Sequence, residues 1–202
     1  LADIEIAKWL NVPLRVLGIS SKESLEIIKN ARAQGIDIKV AVPFMNLCFT
    51  ESDIENFDER FKVMPPLRTL DDKKALLEGL FNGDIDAVFS NHTPEDIENK
   101  KLEFEYAAVG AATYSGFIPK IFEMFTDNEL LKVIEVLSRG NRLFLGMTEG
   151  EIQVGQKANV TVISRNAADH SDYKGSIAYN KLPAVRSQGG LVCTICGTKI
   201  NY

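Results

Sequence analysis

The feature that most restricts the fold is an alternation of short apolar runs with amphipathic segments between Pro13 and position 92. The strand candidates are residues 14–19, 37–43, 61–64 and 85–91. Strands that alternate with helices form βαβ units, in which helices cover a parallel sheet. Right-handed crossovers then leave an open doubly wound sheet or part of a (β/α)8 barrel, and four strands would supply half of such a barrel.

The helices between these strands have recognisable ends. Thr69 is the N-cap candidate of a helix over residues 70–81, and Gly83 lies just past its end. A short acidic helix is predicted from Thr50 to Phe57. A further helix is predicted over residues 22–34, and residues 103–146 are predicted to be mostly helical, with 118–125 and 128–137 as the clearest pieces. This part of the chain is therefore expected to be α/β.

After Gly150 the sequence changes to short β-type runs separated by Gly, Asn and Lys. The runs are residues 151–154, 158–163 and 189–200. They indicate a small all-β module that follows the α/β part. We therefore predict two domains, residues 1–146 and residues 147–202.

Composition excludes several classes of protein. The chain has 202 residues, of which 45% are hydrophobic and 25% charged, with a net charge of −5. This is the profile of a globular protein, and it lacks the basic surface of a nucleic-acid binder. No apolar run approaches the length of about 20 residues that a membrane span needs. Three cysteines do not make a disulfide framework, so we expect a reducing cytoplasm. Because Leu1 stands inside a helical pattern, we expect a piece of a longer protein.

In parallel α/β folds the active site lies at the carboxyl ends of the strands. The first three predicted strands end on residues that are poor zinc ligands: Gly18, Phe44, Met45, Asn46 and Met64. The fourth ends on Asn91 and His92. Since zinc sites are built from Cys, His and carboxylates, one imidazole is not enough for a catalytic zinc. We therefore expect no metal site in this chain.

Two residues near these strand ends could each have more than one role. His92 could act as a general base, a hydrogen-bond donor or a metal ligand, or it could be structural. Arg68, after a Pro-Pro turn, could bind an anionic group bidentately or form a surface salt bridge.

The cysteines and the second histidine have simpler interpretations. Cys193 and Cys196 form a CxxC spacing, but residues three apart in a strand point to opposite faces, so we expect a buried strand and no metal or redox site. Cys48 has no obvious partner, and His170 is expected in a surface loop.

These strand ends and their flanking motifs resemble the dihydroorotase family of cyclic amidohydrolases over essentially the whole chain. K-V-M-P-P-L-R-T at 62–69 is similar to the family's stretch around NPPLR, and S-N-H-T-P at 90–94 falls on its TDHAP motif. L-G-I-S-S-K-E-S at 17–24 looks like its CHVST-ES strand end. The stretch from Gly150 to Val160 is similar to the family's entry into its β-sandwich.

The resemblance implies a fold and a set of cofactors. The family fold is a metal-dependent TIM-like (β/α)8 barrel plus a small β-sandwich formed from both chain ends. This chain would hold the C-terminal half of the barrel and the C-terminal part of the sandwich. Active members use zinc, and their HxH motif and carboxylated lysine would lie upstream of Leu1.

Against this resemblance the family's ligand positions are substituted. They fall on Gly18, Phe44, Met45 and Asn91, and the last of these stands at the position of the general-base aspartate. An amide is nearly isosteric with that acid but cannot accept a proton near neutral pH. The family's substrate-contacting asparagine falls on Met64, and the final histidine of its APH motif falls on Glu95. His92 and Arg68 remain as substrate-binding candidates.

Three hypotheses for function follow from the resemblance. The first is a non-catalytic dihydroorotase homologue of pyrimidine biosynthesis that assembles with aspartate carbamoyltransferase. The second is an active metal-dependent dihydroorotase whose unusual site is completed by upstream residues. The third is a protein that binds a small dihydroorotate-like anion through Arg68 and His92. A homo-oligomer is expected, and neither nucleic acid nor a membrane is an expected partner.

We predict that residues 1–202 expressed alone do not fold cooperatively. Half a barrel exposes strand edges and apolar surface that the other half would cover. Thermal unfolding followed by circular dichroism is expected to show a broad, non-cooperative change. A single sharp transition of the isolated chain would contradict this prediction.

Overall fold

A three-stranded parallel sheet organises the first part of the chain. The structure is a computed structural model and describes residues 1–148, 150–167 and 189–201. Strands β1 (Leu14–Leu17), β2 (Ile38–Pro43) and β3 (Ala87–Phe89) lie in the order β1-β2-β3. Both pairings are parallel. The predicted parallel sheet is confirmed with three of its four predicted strands.

Helices connect and cover these strands. They are α1 (Ala2–Leu10), α2 (Lys22–Ala33), α3 (Phe44–Cys48), α4 (Leu70–Asn82), α5 (Ile97–Lys100), α6 (Tyr114–Met124), α7 (Asp127–Glu135) and α8 (Asn141–Phe144). A π-helical turn, Val136–Gly140, joins the last two. The expected N-cap of α4 is confirmed, since the Thr69 hydroxyl accepts from the Asp72 backbone N–H in a capping box. The predicted acidic helix after Thr50 is instead a series of 3-10 turns, Glu51–Asp53, Glu55–Phe57 and Glu59–Phe61.

The main hydrophobic core lies between the sheet and helices α2 and α4. Val40, Val42 and Val88 are buried on the strands. The buried residues facing them from the two helices include Leu25, Ile28, Ala31, Leu76 and Leu80. Burying a side chain of this size contributes about 1.5–3 kcal/mol. This packing fixes the helices on one face of the sheet.

A partly buried polar connection aligns β2 with β3. The Asp86 carboxylate accepts a hydrogen bond from the Val40 backbone N–H at 2.7 Å, and the Asp86 N–H donates to the Val40 carbonyl at 3.0 Å. The Arg32 guanidinium pairs with the same carboxylate and also donates to the carbonyls of Ile38 and Asp84. The amino ends of both strands are thereby tied to the end of α2.

The outer edge of β3 is occupied by a side chain. The Asn141 amide donates to the Val88 carbonyl at 2.8 Å and accepts from the Val88 N–H at 2.9 Å. The approach is close, because a β-carbon on Gly140 would stand 2.4 Å from the Asp86 carbonyl oxygen. β1 and β3 are the edge strands of the sheet, and at Val88 the Asn141 amide occupies the backbone groups of the β3 edge.

The predicted third strand at residues 61–64 is wrong. The backbone there bonds to loops: the Lys62 carbonyl accepts from the Gly110 N–H at 2.9 Å, and the Met64 carbonyl accepts from the Asn91 side chain. Pro65 and Pro66 follow and have no N–H to give to a sheet ladder. As a result β2 pairs directly with β3.

The β module is a three-stranded antiparallel sheet in the order β4-β5-β6. Its strands are β4 (Asn159–Ser164), β5 (Gly190–Cys196) and β6 (Lys199–Asn201). The predicted run at 151–154 does not form a strand, and Ile152 and Val154 stand in solvent without sheet partners among the described residues. The described residues form neither a closed barrel nor a second sandwich layer, so those parts of the predicted fold stay predictions.

Arg165 attaches this sheet to the α/β part. Its guanidinium donates to the Phe122 and Phe125 carbonyls at 2.7 and 2.8 Å and to the Asp127 carboxylate. It therefore places a cation against the C-terminal end of α6, where the helix dipole favours positive charge. The domain boundary near residue 147 stays a prediction.

In the described parts of the chain, every helix is too short or too polar to cross a lipid bilayer.

Candidate functional site

The carboxyl ends of β1 and β3 meet the Pro-Pro segment in one place. The Asn91 amide, just past β3, donates to the Met64 carbonyl at 3.0 Å. Arg68 lies at the end of the same segment, with its Nε 3.5 Å from the Ser20 hydroxyl beyond β1. The structure therefore brings together residues that the sequence placed at separate strand ends.

Phe44 and Met45, which follow β2, belong to the hydrophobic core. Both are buried, at 2% and 0% exposure. The Phe44 ring packs against Phe117 of α6, with centroids 4.4 Å apart. Buried side chains occupy these two positions, and neither is the imidazole, thiolate or carboxylate that zinc requires.

Gly18, at the end of β1, has a backbone conformation that a histidine would adopt only under strain. Its φ is +92°, a region that glycine alone enters freely. A β-carbon there would lie 3.5 Å from Pro65 and 3.8 Å from Phe89. These distances are ordinary van der Waals contacts, so it is the backbone conformation that favours glycine here.

Asn91 uses its amide as a hydrogen-bond donor. The bond to the Met64 carbonyl requires an N–H, and an ionised aspartate has none to give. The φ of Asn91 is +50°, a left-handed conformation that Asn tolerates better than most residues. An aspartate in this place would set a carboxylate against a carbonyl oxygen.

These residues do not fit a catalytic zinc. Over residues 1–148, 150–167 and 189–201, no three His, Cys, Asp or Glu side chains are grouped so that they could hold a metal ion. At the four positions themselves stand a glycine, two buried apolar side chains and an amide donor. The donor set that zinc requires is missing from this part of the site.

His92 is held by the start of α6. Its Nδ1 accepts from the backbone N–H groups of Thr113 at 3.0 Å and Tyr114 at 3.3 Å. The imidazole stacks on the Tyr114 ring, with centroids 3.8 Å apart and planes 6° from parallel. Because Nδ1 is an acceptor, the hydrogen-bond pattern assigns the proton to Nε2, which then donates and does not ligate a metal. Burial lowers the pKa of His92.

Arg68 lies between the N-terminal ends of α2 and α4, and its side chain is exposed. Asp72 serves both helix ends, since its carboxylate accepts from the Lys22 backbone N–H at 2.8 Å and from the Thr69 hydroxyl at 2.7 Å. Burial raises the pKa of Asp72, but these hydrogen bonds and the Arg68 charge outweigh it and leave the pKa below its usual value. A carboxylate of the chain therefore already faces Arg68.

The cysteines lie away from these strand ends. Cys193 is buried and Cys196 exposed on β5, so the two free thiols diverge as predicted. The expectation of a buried strand is wrong, because most of β5 is partly or fully exposed. Cys48 is also free, and burial raises the pKa of its thiol. His170 lies outside the described residues.

The sequence did not reveal two aromatic residues that complete the site. Tyr114 stacks on His92 and Phe117 packs on Phe44, and both come from the first turn of α6. The sequence predicted residues 103–146 to be mostly helical, with 118–125 as the clearest piece, and did not specify a helix start at Tyr114. Thr113, a residue type favoured at the N-cap, was the available signal, although its side chain makes no capping hydrogen bond.

Comparison with curated proteins gives one consistent family name. The chain is 31% identical over 206 aligned positions to a protein named dihydroorotase from Thermoanaerobacter sp. (strain X514), and 29% identical to one from Bacillus subtilis (strain 168). Each alignment covers 99% of this chain and 48% of the relative. The chain therefore spans about half the length of the curated relatives it matches. No family model matches the sequence.

Solved structures share the fold. An L-hydantoinase (dihydropyrimidinase) from Arthrobacter aurescens superimposes with a TM-score of 0.82 at 24% identity, over 98% of this chain and 46% of that one. A dihydroorotase from Saccharomyces cerevisiae in complex with 5-fluoroorotic acid gives 0.64 at 19% identity, over 81% and 47%. The mixed α/β architecture is thus that of amidohydrolase-fold proteins.

We predict that His92 titrates below its ordinary pKa of 6.5. As pH falls, the unfolded chain then binds the proton before the folded chain does. The free energy of unfolding therefore becomes smaller as pH falls from about 6.5 to the folded-state pKa. NMR of the imidazole Hε1 signal, assigned by its loss in His92→Gln, should give a midpoint below 6.5. A midpoint at or above 6.5 would contradict the Nε2–H assignment and the burial that support it.

Proposed function

The chain is homologous to dihydroorotases over nearly its whole length, and on this premise we propose that it forms part of a non-catalytic dihydroorotase homologue of pyrimidine biosynthesis. The resemblance assigns it the C-terminal half of the barrel and the following β module. Active relatives in this family would act on carbamoyl aspartate and dihydroorotate with zinc. For this chain we propose a retained fold without that chemistry.

The observation that carries this proposal is the burial of Phe44 and Met45 in the core. The family's paired histidines fall on these residues, and the phenyl and thioether groups that are buried there are not zinc ligands. The Asn91 amide donates where a general base would have to accept a proton. Losing such a group slows a reaction by about 10²–10⁴-fold. Losing the metal ligands as well removes the electrophile.

The alternative is an active metal-dependent dihydroorotase completed by upstream residues. An intact HxH motif and a barrel lysine before Leu1 would support it. Two observations argue against this alternative. The backbone at Gly18 has a left-handed conformation that suits glycine, and the Asn91 side chain donates a hydrogen bond that an aspartate could not donate.

For the partner we propose aspartate carbamoyltransferase, with the chain acting as an assembly subunit in the cytoplasm and as a homo-oligomer. Loss of catalytic groups with retention of the core is the pattern expected when shape is under selection and chemistry is not. A small anion bound by Arg68 and His92 is a weaker proposal, because Asp72 already faces Arg68 and the Nδ1 of His92 is already occupied.

We predict that the purified full-length protein carries far less than one zinc per chain and does not turn over carbamoyl aspartate or dihydroorotate. Metal content by inductively coupled plasma mass spectrometry and a coupled turnover assay measure the two quantities. An active dihydroorotase assayed in parallel is the control. Bound zinc together with measurable turnover would establish the alternative.

We also predict that the full-length protein co-elutes with the aspartate carbamoyltransferase of the same organism in size-exclusion chromatography. Both proteins are mixed at micromolar concentration, and bovine serum albumin replaces the carbamoyltransferase as the control. Separate elution of the two proteins at these concentrations would reject the proposed partner.

A further inference from the structure

Two loops at the carboxyl side of the sheet join into one surface. Residues 51–62 follow α3, and residues 95–106 follow β3. The rings of Phe57 and Phe104 lie 6.0 Å apart across the two loops. The Lys62 ammonium donates to the Phe104 and Glu105 carbonyls, both at 2.8 Å. We call residues 51–62 and 95–106 together the loop surface.

Large apolar side chains of the loop surface point into solvent. Phe57 is 74% exposed and Tyr106 is 70% exposed, and Leu102 is about half exposed. Phe57 holds this position with a φ of +55°, a conformation that costs a bulky residue about 1–2 kcal/mol. Exposed aromatics with a polar surround are typical of protein-binding sites.

The loop surface also carries the net negative charge of the chain. It contains ten of the 28 carboxylate residues and only four of the 23 Lys and Arg residues, a net charge of −6. The whole chain has −5, so the remaining residues are close to neutral. The charge is thus concentrated around the exposed aromatics.

Three of the four cations of the loop surface have local partners. Lys100 is fully buried and donates to the Ala108 carbonyl at 2.7 Å. The Lys62 ammonium donates to the Phe104 carbonyl of the other loop, and Arg60 forms an ion pair with Asp58. Most of the carboxylates are exposed instead, including Glu55, Glu98, Glu103 and Glu105. An approaching molecule meets an acidic rim around an apolar centre.

We propose that the loop surface binds a protein partner that presents apolar side chains flanked by lysine or arginine. Charge complementarity selects such a partner and accelerates its approach. Nucleic acid and anionic membranes would be repelled. A second copy docking symmetrically would set −6 against −6, which disfavours self-association here. The inference rests on the assembly role proposed above, and it identifies the loop surface as the place where the partner of that role would bind.

The test uses the full-length protein and two labelled peptides. One is a short amphipathic helix of leucine and lysine, and the other has glutamate in place of every lysine. Fluorescence anisotropy in about 50 mM salt, where charge is weakly screened, should show binding of the lysine peptide only. Phe57→Ser with Tyr106→Ser should weaken that binding at least about tenfold, as loss of aromatic anchors does.

Leu131→Ser is the matched control, because Leu131 is 73% exposed on α7, outside the loop surface. It should leave the affinity unchanged, and circular dichroism should show that all variants keep the fold. Equal affinity of the double variant and the wild type, or no binding by the wild type, would overturn the proposal. So would a dimer in sedimentation that the double variant dissociates, since a second copy would then occupy the surface. Peptide binding is independent of zinc content, turnover and carbamoyltransferase co-elution, so its failure is distinguishable from failure of the proposed function.

Discussion

The contact between Asp86 and Val40 determines how the rest of the structure is arranged. Because residues 61–64 do not form a strand, β2 and β3 must pair directly, and the Asp86 carboxylate fixes their register at the amino ends. Arg32 ties this point to α2, which packs with α4 over the outer face of the sheet. The same register brings the segments after β2 and β3 to one edge, where Phe44, Asn91 and His92 lie.

At that edge, the substitutions form one consistent structure. A core aromatic pair replaces paired ligands at Phe44, the backbone at Gly18 turns left-handed, and the Asn91 amide closes onto the Met64 carbonyl. His92 is retained, but its Nδ1 is bound by the N–H groups at the start of α6. Apolar packing and backbone hydrogen bonds thus engage the side chains of Phe44, Asn91 and His92.

Local chemistry made much of the fold predictable. The helix after Thr69 was found because its capping box and following glycine are signals within a few residues. The strand at 61–64 failed because its apolar pattern could not show that its carbonyls bond to Gly110 and Asn91, which are distant in sequence. The substituted ligand positions were visible from motif spacing. The partners that fill the space, Phe117 and Tyr114, depend on tertiary packing and were missed.

The central claim is that Phe44 and Met45, on which two of the family's metal-ligand positions fall, are core residues. Phe44→Ala in the full-length protein tests it most directly, by urea unfolding at equilibrium. A buried Phe packed against Phe117 predicts a loss of about 3–5 kcal/mol in the free energy of unfolding. A loss below about 1 kcal/mol would mean that position 44 faces an open site, and it would contradict the account.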